Sequence, residues 1–115
     1  MKGEEARRKL HEIFGKQIKF NKDFDKYAGQ LKEGMMLDFL YWCGNAKEGK
    51  ELGSVPRKKE YKNLYVFFRK IASDVRAMLI KERNHDFIKI ILSDHKHYDD
   101  TRLKLGYKRS SYYDS

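Results

Sequence analysis

A chain of 115 residues with 26 Lys and Arg against 17 Asp and Glu carries a formal charge of +9, which suits one small domain, a modest core and a polyanionic partner. Residues 1–57 hold 12 basic and 9 acidic groups and residues 58–115 hold 14 and 8, so the C-terminal half is the basic half. The single cysteine, Cys43, excludes an internal disulfide, no apolar run approaches a membrane span, and the charged N-terminus lacks a signal-peptide core; a soluble, cytoplasmic protein with no membrane role is expected.

In chain order, Ala6, Leu10, Ile13 and Phe14 share one face of a helix over residues 4–14, closed by Gly15. Residues 16–20 alternate polar and apolar, with Ile18 and Phe20 on one side, as a short strand does. Asn21 suits the N-cap of a helix carrying Phe24, Tyr27, Ala28 and Leu31, which Gly34 ends. A third helix is expected over residues 35–43, where Met36, Leu37, Phe39, Leu40, Trp42 and Cys43 make a wide apolar surface for a core or an interface. Three glycines and the only proline then mark a loop over residues 44–56.

Residues 59–83 read two ways. Tyr61, Leu64, Tyr65, Phe68, Ile71, Ala72, Val75, Met78 and Leu79 fit a helical stripe, yet LYVFF at 64–68 is aromatic and β-branched, as strands are. The strand reading gives a meander of 61–70, 75–82 and 87–93, with turns at 72–74 and 83–86. The fold expectation is therefore α+β, with N-terminal helices packed on a small antiparallel sheet; the alternative is all-α.

The stretch 87–98, FIKIILSDHKHY, concentrates the chemistry. An apolar segment stops and Asp94, His95, Lys96, His97 and Tyr98 follow at once. Imidazoles move protons near neutral pH, and an ammonium or a guanidinium holds phosphate. In an extended tail His95 and His97 share one side, Lys96 and Tyr98 the other.

The order and spacing of these segments resemble the RelE/ParE superfamily of bacterial and archaeal toxins. The resemblance covers residues 16–98. IKFNKDFDKYAGQL is similar to that family's opening strand and following helix, and a helical hairpin and polar loop come next. LYVFFRK and DVRAMLI resemble its paired central strands, the second opening with Asp74-x-Arg76, and FIKIILSDHKHYDD resembles its next strand and polar tail. A helix over residues 3–14 and a basic, Tyr-rich tail over 101–115 are additions to one such domain.

The resemblance implies a toxin that cuts mRNA on the ribosome and is neutralised by a cognate antitoxin. In that reaction the RNA 2′-hydroxyl attacks the adjacent phosphate, so a base, an acid and cations suffice, with neither metal nor cofactor. The expected acid–base groups are His95, His97 and Tyr98, with Arg76 on the scissile phosphate. Arg57, Lys58, Lys59, Lys62, Arg69, Lys70 and Lys96 are expected to bind RNA phosphates. The tail tyrosines Tyr107, Tyr112 and Tyr113 suit base stacking or an antitoxin contact. His11 and His85 have no expected catalytic role. Asp94, His95, His97, Asp99 and Asp100 are metal-ligand types, but no second cluster with ligand spacing accompanies them. Two other functions compete: a ParE-like inhibitor that binds DNA gyrase, against which His95, His97 and Tyr98 argue, and a non-catalytic nucleic-acid-binding protein.

Overall fold

A computed structural model describes residues 2–109; Tyr112 and Tyr113 lie outside the described residues. The elements in chain order are α1 (Gly3–Phe14), β1 (Lys19–Phe20), α2 (Phe24–Ala28), α3 (Glu33–Lys47), a 3-10 turn (Lys59–Tyr61), β2 (Leu64–Ala72), β3 (Val75–Glu82), β4 (Phe87–Ser93) and α4 (His95–Leu105). The α+β expectation holds and the all-α alternative is excluded. The strands run in the order β1-β4-β3-β2. β2, β3 and β4 form the expected antiparallel meander, and β1 adds parallel to β4, so the sheet is mixed.

Two layers of side chains cover the sheet. On one face Phe67, Val75, Ala77, Leu79, Phe87, Ile90 and Leu92 pack with Leu10, Phe14, Met36, Phe39 and Trp42 from α1 and α3. On the other face Val66, Met78, Ile80 and Ile91 pack under Tyr98 and Leu105 of α4. Burying apolar side chains on both faces stabilises the sheet and removes the alternation that would have marked its strands in the sequence.

Local signals explain the ends of α1 and α4. α1 buries Ala6, Leu10 and Phe14 along one stripe, carries Glu4 and Glu5 where the helix dipole favours anions, and stops at Gly15 with φ +102°. α3 differs from expectation by running through both Gly34 and Gly44 to Lys47. A glycine inside a helix costs about 1 kcal/mol, which burial of Met36, Phe39, Trp42, Cys43 and Ala46 outweighs. The loop consequently begins later than the first of its glycines. Asn21 does not cap α2. Its side-chain amide donates to the Leu92 carbonyl (2.8 Å) and its side-chain oxygen accepts from the Leu92 N–H (3.0 Å), so it prolongs the β1–β4 ladder.

The largest difference is at residues 95–105, expected as an extended tail and found as α4. Asp94 is its N-cap, accepting from the His97 N–H at 2.8 Å, and Gly106 ends it with φ +96°. Arg102 and Lys104 occupy its last turn, where the dipole favours cations. Among the described residues no helix is long and apolar enough to cross a membrane.

Candidate active site and basic face

The N-terminus of α4 stands over one end of the sheet. There Lys70 pairs with Arg76, and Arg76 with Ser93, placing all three on the face that α4 covers. Asp74, in the β2–β3 turn, accepts from the His95 N–H at 3.2 Å. Ser93 is buried and its hydroxyl donates to the Asp94 carbonyl at 3.1 Å. The turn between β2 and β3 and the start of α4 are thus fastened to each other through polar groups.

Arg76 is fully buried (0% exposed). Its Nη1 donates to the carbonyls of Ala72 (3.0 Å) and Ser73 (3.1 Å), so it clamps the β2–β3 turn instead of facing solvent. Asp99 is also buried, and its Oδ2 lies 3.5 Å from His95 Nε2, ion-pair range for a protonated ring. The His95 side chain keeps 23% of its surface exposed. A buried carboxylate thus stands behind a partly accessible imidazole, an arrangement whose geometry suits general base catalysis.

Helix geometry separates the two histidines. Residues two apart on a helix point about 200° from one another, so His95 meets Asp99 while His97 is exposed. The expectation that they share a side is corrected by α4. Tyr98 turns inward instead. Its ring packs edge-on to Phe68 at 5.8 Å, and its hydroxyl is buried without a hydrogen-bond partner. Burial pushes its pKa up; the charges of Arg102 and Arg76 offset part of that, and Asp99 adds to it. No hydrogen bond of ordinary geometry joins the Arg102 guanidinium to this hydroxyl, although it lies 5.7 Å from the ring centroid.

The remaining predicted binding residues fall into three places. Lys70 and Lys96 belong to the His95 end, with Lys96 exposed. Arg69 pairs with Ala77, whose side chain lies in the core under α1–α3, so Arg69 projects from the opposite face to Arg76. Arg57, Lys58, Lys59 and Lys62 are exposed beside the other end of α4. The Lys58 N–H donates to the Leu105 carbonyl at 3.4 Å, and a Cβ on Gly106 would sit 2.8 Å from the Lys58 nitrogen. Only glycine admits both that approach and the positive φ. This strip is ten residues along α4 from His95, about 15 Å at 1.5 Å per residue.

Tyr107 folds back instead of trailing into solvent. Its ring meets Phe68 at 4.9 Å and its hydroxyl donates to the Ser54 carbonyl at 3.1 Å. Arg102 lies over Phe68, Tyr98 and Tyr107 at 4.5, 5.7 and 5.6 Å and pins α4 to β2 through cation–π contacts. His11 stacks edge-on to Phe20 on the far side of the sheet, and His85 is exposed in the β3–β4 turn.

The residues that sequence reasoning missed are Asp99 as partner of His95, and Lys19, Lys89 and Lys104. The i,i+4 spacing of His95 and Asp99 is a signal once α4 is a helix. Lys19 and Lys89 meet only through the parallel β1–β4 register, where Lys89 also pairs with Ile80 on the α4 face. Among the described residues no three His, Cys, Asp or Glu side chains group closely enough to hold a metal ion. No family model, no curated protein and no solved structure matches this chain.

Proposed function

We propose that this protein is a toxin of the RelE/ParE kind, a metal-independent endoribonuclease acting on mRNA and held in check by a cognate antitoxin. The observation that carries the reading is the buried Asp99 carboxylate behind the partly exposed His95 imidazole, followed by exposed Lys96, at the same end of the sheet as Lys70 and on the basic half of the chain. In this mechanism His95 accepts the 2′-hydroxyl proton, Asp99 steadies the imidazolium that results, and Lys96 offsets charge on the phosphorane. Arg76 supports the site by holding the 72–74 turn and contributes no direct phosphate contact while it is buried. Tyr98 reaches the leaving 5′ oxygen only if α4 moves off the sheet, so in this arrangement water supplies the proton that oxygen takes as its bond to phosphorus breaks. The same reading makes the cytoplasm, and the ribosome within it, the place of action.

A binding-only reading, whether ParE-like inhibition of gyrase or nucleic-acid binding without cleavage, is favoured by one observation. The guanidinium of Arg76 and the hydroxyl of Tyr98 are both out of solvent reach. The deciding experiment adds purified protein to a translating extract and maps mRNA ends, with gyrase supercoiling assayed in parallel. Wild type should leave ends derived from 2′-hydroxyl attack, His95→Ala should be slower by about 100-fold or more, and His97→Ala should keep most of the activity. Intact mRNA with inhibited gyrase would replace this reading by the other.

A further inference from the structure

α4 covers only part of its face of the sheet, and beside it runs a groove of about 270 Å³. Its floor and wall are Tyr61, Leu64, Ile80 and Ile88, and Lys89 and Lys104 stand at its rim. Lys19, the register partner of Lys89, is exposed on the same face. The strip of Arg57, Lys58, Lys59 and Lys62 passes the same end, tied to Leu105 of the groove wall through the Lys58 N–H. No Asp or Glu lines the groove; Glu60 and Asp100, next to its lining residues in sequence, and Glu82, the register partner of Leu64, are exposed.

An apolar slot with ammonium groups along its rim fits a ligand that is flat and apolar in one part and anionic in the next. Ligand pockets for whole small molecules are larger, about 300–1,000 Å³, so this one suits a single ring system. We infer that the groove receives an unstacked base of single-stranded RNA, with Lys19, Lys89, Lys104 and the 57–62 strip on the flanking phosphates. The inference rests on the RNA reading for its polymer and is independent of cleavage. A duplex keeps its bases stacked and offers the groove nothing, so discrimination of single strand from duplex is built in.

The test measures binding of a fluorescein-labelled oligouridylate by anisotropy, using full-length protein carrying His95→Ala so that RNA stays intact. Inorganic polyphosphate serves as a competitor with charge and no base. Thr101→Trp, which fills the groove from α4, and Tyr61→Ala, which removes its aromatic wall, should each weaken RNA binding about ten-fold and leave polyphosphate binding unchanged. Lys89→Glu with Lys104→Glu should weaken both. The two groove variants act through different elements, so misfolding of one, seen by circular dichroism, leaves the other decisive. RNA binding unchanged in the folded groove variants overturns the inference and reduces this face to a charged surface, as does equal binding of duplex and single strand. Loss of cleavage by the wild type would not alter either outcome.

Discussion

At the residue scale two side chains chosen for chemistry turn out to be parts of the scaffold. A buried hydroxyl with no partner costs about 1–3 kcal/mol relative to one that is bonded. Tyr98→Phe should therefore leave the urea midpoint unchanged or raise it. Arg76→Leu should lower stability by about 3 kcal/mol, because the Ala72 and Ser73 carbonyls lose their donor inside the fold. An Arg76→Leu protein with the wild-type midpoint would show that Arg76 does not hold the turn. The tyrosines also set an alkaline limit. Burial raises the pKa of Tyr98 and of Tyr107 above the ordinary value of 10.0. A raised folded pKa means the folded state holds the proton more tightly than the unfolded chain does. The stability this confers is complete below pH 10 and is lost as pH rises from there through the folded values. Thermal melts should fall above pH 10, and the fall should be shallower with both residues changed to Phe.

At the element scale α4 governs the candidate site, since it sets the position of His95, Asp99, Tyr98 and Lys104 together. It is fixed at its start by Asp94 and Asp74, along its length by Arg102 against three aromatic rings, and at its end by Lys58 and Gly106. Asp94→Ala removes the cap and should cost about 1 kcal/mol. Amide exchange should quicken in the first turn of α4 and stay unchanged in β3; equal quickening in both would mean that the helix start and the sheet open as one unit. Both end signals of α4, Asp94 and Gly106, stand in the sequence. They were hidden because the buried residues of α4 are Tyr98, Asp99 and Leu105, two of them polar or bearing a polar group, so the segment reads as a polar tail with no apolar stripe. The opposite failure occurs at β2 and β3, which are covered on both faces and so mimic a buried helix. Turn residues at 73–74 and 83–86, more than periodicity, were the reliable marks there.

At the scale of the whole molecule, charge is distributed by topology more than by position in the chain. The row from Val66 through Ile80 and Lys89 to Lys19 crosses all four strands and ends in two ammonium groups on the α4 face. With the 57–62 strip and Lys104 this makes a mainly basic surface around the groove, interrupted by Glu60 and Glu82. If about five of these cations meet phosphates of a single strand, affinity should fall about 100-fold between roughly 50 and 200 mM salt. A salt slope near zero would remove the polyanion from the list of partners. His95 lies at the far end of α4 from this surface, so a strand bound in the groove would need to follow the helix to reach it.

The sequence by itself determined α1 and its boundaries, the turns at 73–74 and 83–86, the excess of charge in the second half, and the grouping of His95, Lys96, His97 and Tyr98. These are local properties, carried by periodicity, glycine positions and composition. Strand against helix stayed open for residues 59–83 until the structure decided it. Tertiary structure alone decided which of those groups meet solvent: His95 does in part, His97 does, and Arg76 and Tyr98 do not. It also decided that Asp99 backs His95 and that Lys19 and Lys89 lie side by side. The physical reason is that burial and strand register are set by segments far apart in the chain, so no window of sequence contains them.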